Sequence, residues 1–173
     1  ILLSRELAKH RTTKRWRYDT ICTGCTALLW ISMATSHPSL VLLSSPKAVH
    51  QDNFDPGRGN ALQAVIAALF GLTLEEVPNF IEIPTGYETA IKSFCGTGGI
   101  EITKVKLAGD DVSHLSNYDG KLCCLRGKSP RGDFGHVVVA KLNGGKFQFI
   151  HDPHPDGTML DKREDFGWCM FFF

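Results

Sequence analysis

The chain carries almost no net charge: 19 Lys and Arg against 18 Asp and Glu leave +1 over 173 residues. That balance excludes the broad single-sign field with which a protein gathers nucleic acid or an anionic membrane surface. No nucleic-acid partner is therefore expected. The local exception is residues 9–17 (KHRTTKRWR), read as a solvated basic face, with recruitment of an anionic partner as the alternative. Internal repeats and low-complexity tracts are also absent, which excludes solenoids and long biased arms. So is any sign of a disulfide framework. Of six cysteines, Cys123 and Cys124 are adjacent in a strand-like run and point to opposite faces, as buried thiols would. The CxxC of Cys22 and Cys25 lacks a second ligand pair at standard spacing, and His37 and His50 do not supply one. No metal or other cofactor is expected, and a reducing, cytoplasmic setting fits.

A long, smooth hydrophobic run is missing too. Residues 20–46 hold no charged side chain and are long enough to raise the question of a membrane span. Ser and Thr residues, with His37 and Pro38 in the middle, interrupt them. They are read instead as a buried helix over 26–34 and a strand over 40–43, and a membrane segment is not expected. The chain begins with Ile, which reads as a fragment or a processed form.

What is present is an ordered succession of patterns. The turn-rich stretch 48–60 (AVHQDNFDPGRGN) leads into ALQAVIAALF, a helical pattern over 61–70 closed by Gly71, with Asn60 placed as N-cap. Thr73 with Glu76, and Thr85 with Glu88, have capping-box spacing for a short turn and for a second helix ended by Gly96. Residues 100–107, 122–125, 136–142, 146–152 and 168–173 read as strands. Helices first and a mostly antiparallel sheet afterwards is an α+β order.

The hairpin GHVVVAKL-NGG-KFQFIHD is the most informative piece. With a three-residue loop, Leu142 pairs with Lys146, and His136 then faces Asp152 across the ladder on one side of the sheet. A carboxylate there fixes the tautomer of the imidazole and holds it towards a nucleophile. The natural site for a Ser or Cys partner is the start of a helix, where the dipole lowers a thiol's pKa and free N–H groups bind an oxyanion. Gly59-Asn60-Ala61-Leu62-Gln63 provides that setting, but residue 61 is Ala. On the residues alone the set is incomplete.

Two separated runs, QDNFDPGRGNALQAVIAALFGLTLEEVPNF and GKSPRGDFGHVVVAKLNGGKFQFIHDPHPDG, resemble a family of small bacterial and phage proteins with the patterns QTTF…GNCxxAxxASLLGLPLEEVPxF and SPRG…HAVV…GxxVHDPHPSG. The family looks like a papain-like, peptidase-C39-like group of thiol hydrolases, and the likeness covers about residues 51–160. It implies a papain-like fold, with residues 48–173 as the catalytic domain and 1–47 as an N-terminal extension. It also implies a Cys-His-Asp triad acting on an amide bond of a protein or peptide. The family's Cys falls on Ala61, its His on His136, its Asp on Asp152, and its upstream Gln, an oxyanion donor by analogy, on Gln51. Asn60 or Gln63 could substitute for that Gln. Ala at 61 departs from the pattern; we expect an engineered inactivation, with a natural pseudoenzyme as the alternative.

Of the remaining residues, Arg131 and Asp133, in a turn before the His136 strand, are candidates for lining the substrate cleft. His154 is a candidate for substrate contact rather than metal binding. Trp168 and residues 171–173 are read as closing the core. Cys25, at an expected helix start, is a rival nucleophile. The rival functions are a catalytically dead binding module using the same cleft, and an interaction protein recruiting through its basic segment.

Overall fold

The computed structural model describes residues 40–173 apart from Pro56, Ala108, Asp110 and Arg163. The basic run 9–17, the Cys22/Cys25 pair, His37 and the helix expected over 26–34 lie outside the described residues. The fold is α+β. Helices α1 (Ala61–Phe70) and α2 (Tyr87–Gly96) precede strands β1 (Ile102–Lys106), β2 (Leu122–Lys128), β3 (Gly135–Asn143), β4 (Lys146–His151) and β5 (Trp168–Phe172), with short 3-10 turns at Leu74–Glu76, Phe80–Glu82 and Ser113–Tyr118. The strands form one antiparallel sheet in the order β1-β5-β2-β3-β4.

Every residue of α1 except Ala61 and Gln63 is buried. A helix that is apolar nearly all round belongs inside a core, and α1 lies against one face of the sheet, where Cys124, Val137, Val139, Met170 and Phe172 meet it. The opposite face, with Cys123, Leu125, Val138, Ala140 and Phe171, is covered by Leu107, Leu115 and Leu160 and by the rings of Tyr118 and Phe166. Adjacent Cys123 and Cys124 thus enter opposite clusters, as their spacing implies. Because both faces are covered, the middle strands read as continuous apolar runs rather than alternating ones. Phe171 and Phe172 close the two clusters, whereas Phe173 is exposed. Among the described residues no single helix is long and apolar enough to cross a membrane.

Four local expectations need correction. Residues 40–43 form no strand; their segment instead brings the Leu43 and Lys47 N–H groups to the Leu69 and Ala68 carbonyls. A helix leaves its last carbonyls without partners, and these donors satisfy two of them. Asn60 occupies the N-cap position, but its side chain caps nothing. Its Oδ1 accepts the N–H groups of Asp52 and Asn53 at 3.2 and 3.0 Å, and its Nδ2 donates to Asp52 at 2.8 Å. At the start of α2, Glu88 pairs with Lys104 and Lys92 instead of closing a box with Thr85.

The fourth correction is the hairpin register. Asn143 pairs with Lys146 and Leu142 with Phe147, so the loop is the two residues Gly144 and Gly145. Both have positive φ, 57° and 71°. This is the two-residue geometry whose twist matches that of the flanking strands. A bulge between Val139 and Ala140 then shifts the register again, so that Val139 meets His151.

Candidate active site

The 51–60 segment folds back on itself before entering α1. Its closure is tight at Gly59: a Cβ there would lie 2.6 Å from the Asp55 carbonyl oxygen, so only glycine fits. Asn60, buried at the same corner, ties the 52–53 backbone to the start of the helix. The chain therefore brings Gln51, Gly59 and Ala61 to the lining of a cleft of about 250 Å³, which Gly135, His136 and Val137 at the start of β3 also line. Because Asn60 turns its side chain outward to the loop, and the first turn of α1 holds no acidic side chain, the N–H groups at the helix start have no side-chain cap. Such an end attracts negative charge.

His136 and Asp152 meet as expected, though not as rung partners. Asp152 follows the last residue of β4, and its Oδ1 lies 2.7 Å from His136 Nε2, with both residues buried. The same oxygen accepts the His154 N–H at 2.9 Å; Oδ2 accepts Met159 N–H and an Arg131 Nη2 donor, each at 2.7 Å. Burial alone would push this carboxyl up. The hydrogen bonds from His136, the His154 N–H and Arg131 outweigh it and bring the pKa down to about 2. Asp152 is thus a carboxylate in any ordinary solvent. It occupies Nε2, leaving Nδ1 as the imidazole nitrogen available for chemistry.

Gln51 is buried on the cleft wall, and its main-chain N–H reaches the Pro153 carbonyl at 2.9 Å, joining the loop to the Asp152 segment. One N–H of its side-chain amide goes to the Asn53 carbonyl at 3.2 Å, so a second remains; its Oε1 is buried without a partner. The residue can offer a donor to the cleft without losing the bond that orients it.

The other candidates are placed elsewhere. Gln63 spends both N–H groups of its amide on the Leu74 and Val77 carbonyls, each at 2.7 Å, and so fastens α1 to the following turn. Asn60 is a loop tie. Arg131 lies behind Asp152 rather than in the cleft: its Nε donates to Asp156 at 2.8 Å and its Nη2 to both Asp152 and Asp156. Asp156 foremost, with Asp152, holds the guanidinium above its ordinary pKa. Asp133 is fully exposed, pairs with Lys128 at 3.7 Å and borders a neighbouring shallow cavity. His154 packs edge-on against Phe54 with ring centres 5.0 Å apart, and its Nδ1 accepts the Asp156 N–H. His151 Nε2 lies against the Val49 backbone, 2.8 Å from its carbonyl oxygen and 3.3 Å from its nitrogen. Among the described residues, no group of three or more His, Cys, Asp or Glu could hold a metal ion. Cys25, the rival nucleophile, lies outside them. The four described cysteines are buried, and burial pushes Cys95 and Cys169 up to about 12 and holds Cys123 and Cys124 well above the ordinary value.

Several lining residues escaped the sequence reading. Phe54, Ile81 and Phe134 are exposed on the cleft, and Tyr87 also lines it, stacked at 5.8 Å between ring centres on Trp168, which packs against the core as read from the sequence and lines the cleft as well. Arg126 also lines it. Its signal was present, as the one charge inside the apolar run Leu122–Gly127.

Comparison of the chain with protein-family models, with curated proteins and with solved structures returns no match.

Proposed function

We propose that the protein is a thiol hydrolase of papain-like type whose nucleophile position is occupied by Ala61. One observation carries the reading: a buried imidazole braced through Nε2 by a carboxylate at 2.7 Å lines the same cleft as the uncapped start of a buried helix. Residue 61 is the first residue of that helix, where a thiol would sit in the positive end of the dipole.

With Cys at 61, His136 would take the thiol proton at Nδ1. The thiolate would attack an amide carbonyl, with the negative oxygen held by the helix-start N–H groups and the Gln51 amide. His136 would return the proton to the leaving amine, and water or a second amine would then release the acyl group. Peptide cleavage, isopeptide cleavage, deamidation and transamidation all use these groups. The resemblance to the peptidase-C39-like family supports the same roles for His136, Asp152 and Gln51.

A second reading has one observation in its favour, Ala61 itself: a catalytically dead module that binds peptides in the same cleft. Alkylation of the Ala61→Cys chain with iodoacetamide at neutral pH separates the two. The hydrolase reading expects the thiol to react faster than an unperturbed cysteine and to fall back to ordinary reactivity when His136→Ala is added. A thiol of ordinary reactivity that ignores His136→Ala leaves only the binding module.

A further inference from the structure

Arg126 stands on β2 opposite Val137 of β3 and Trp168 of β5. It is exposed and lines the cleft with His136, yet its side chain has no ion pair among the described residues. Of the other cations, Arg131 is engaged by Asp152 and Asp156, Lys104 by Glu88 and Tyr87, and Lys128 by Asp133 and Glu164; Arg58 has no ion pair among the described residues, but it does not line the cleft. Space for the Arg126 guanidinium is made by two glycines on the neighbouring chain segments. A Cβ on Gly135 would overlap it, and one on Gly167 would come within 3.2 Å of Nη1.

The acidic groups around it do not occupy it. Asp55, also on the cleft, turns its Oδ1 to the Gly57 and Arg58 N–H groups at 2.7 and 3.1 Å. Glu164 and Asp133 lie with Lys128, and Asp165 borders the adjoining cavity without an ion pair to Arg126. What remains is a planar, permanently charged fork on the wall that holds His136, bordered by the exposed rings of Phe54 and Phe134. A guanidinium fork is the natural mate of a carboxylate.

We infer that Arg126 is a specificity residue that receives a carboxylate of the substrate, which is therefore a peptide with an acidic group beside the scissile amide and apolar neighbours. This rests on the thiol-hydrolase reading and names the substrate class of that site.

The test uses the Ala61→Cys chain and two alkylating agents that differ in charge. In each the thiolate displaces iodide from the CH₂ carbon, forming one C–S bond; iodoacetate carries a carboxylate on the fragment transferred and iodoacetamide does not. The quantity read is the iodoacetate-to-iodoacetamide rate ratio. Adding Arg126→Gln is expected to lower that ratio about threefold or more, the scale of an exposed ion pair. Gly135→Ala, which pushes the guanidinium out of its slot while keeping it on the chain, should lower the ratio in the same direction. High salt should narrow the difference between Arg126 and Arg126→Gln. An unchanged ratio in Arg126→Gln, with the thiol still labelled by iodoacetamide, overturns the inference. The absolute iodoacetamide rate separately reports whether the thiol is activated, so the hydrolase reading and the role of Arg126 fail by different readouts.

Discussion

His136 Nε2 lies 2.7 Å from Asp152 Oδ1 although no rung of the sheet pairs the two residues. Past the bulge between Val139 and Ala140 the last pair of the ladder is Val139 with His151, and Asp152 begins the loop beyond it. The carboxylate is held by Met159 N–H, His154 N–H and Arg131, not by strand pairing. The orientation of the imidazole therefore depends on the 152–159 loop and on a guanidinium behind it.

Arg131→Met tests that dependence. The substitution removes one donor to Oδ2 of a buried carboxylate but leaves the His136, His154 and Met159 bonds. A loss of about 1–3 kcal/mol is expected, the scale for a hydrogen bond to a charged group or an unmet buried one. Urea denaturation measures it. Arg131→Lys should recover only part, because one ammonium cannot reproduce the fork that reaches Asp152 and Asp156 together. Full stability in Arg131→Met would place the control of Asp152 elsewhere.

Acid should weaken the fold through the same group. Asp152 has a pKa of about 2 in the folded chain against an ordinary value of 3.8. A depressed folded value means the contribution is present above the unfolded pKa and is lost as pH falls from there through the folded one. The size is about 2 kcal/mol. Denaturation midpoints recorded between about pH 4 and about pH 2 should therefore fall, and Asp152→Asn should remove one proton's share of the slope. An identical slope in Asp152→Asn contradicts the assignment.

Gln63→Ala should cost stability and spare the site. It takes the amide donors from the Leu74 and Val77 carbonyls, of which Leu74 keeps the Val77 N–H, a loss of about 1–3 kcal/mol. In the Ala61→Cys background the alkylation rate should not change. A lower melting temperature with the rate intact assigns Gln63 to the scaffold; a lower rate with unchanged stability would return it to the cleft.

These outcomes separate what the chain states openly from what it does not. The bounds of α1 follow from an apolar pattern, interrupted only by Gln63, between Asn60 and Gly71. The strands follow from apolar runs and turn residues in the same way. The hairpin register did not, because NGG admits a loop of two or three residues; the choice falls to two positive-φ glycines, and the later bulge carries no sequence mark. Asn60 and Gln63 look like polar side chains free to serve a site. Both are committed to backbone groups far from them in sequence, from Asp52 to Val77. Arg131 leaves the cleft, where it was expected, and Arg126, for which no part was expected, lines it, for a similar reason. Only the folded loop shows that Asp152 and Asp156 converge on the first and leave the second alone.

The four described native thiols should be inert. Cys95, Cys123, Cys124 and Cys169 are buried, and burial holds each thiol well above its ordinary pKa. Iodoacetamide followed by peptide mapping should leave all four unlabelled in the folded chain and label all four in denaturant. Labelling of any of them in the folded chain would contradict the packing of the sheet.

The most direct measurement is the ultraviolet titration of the Ala61→Cys thiolate, with the Ala61 chain, identical except for that sulfur, as the blank. A cysteine paired with His136 at the start of α1 should show thiolate absorbance well below the ordinary midpoint of about 8.5, and His136→Ala should move the midpoint back up. A midpoint near the ordinary value, unmoved by His136→Ala, would contradict the account.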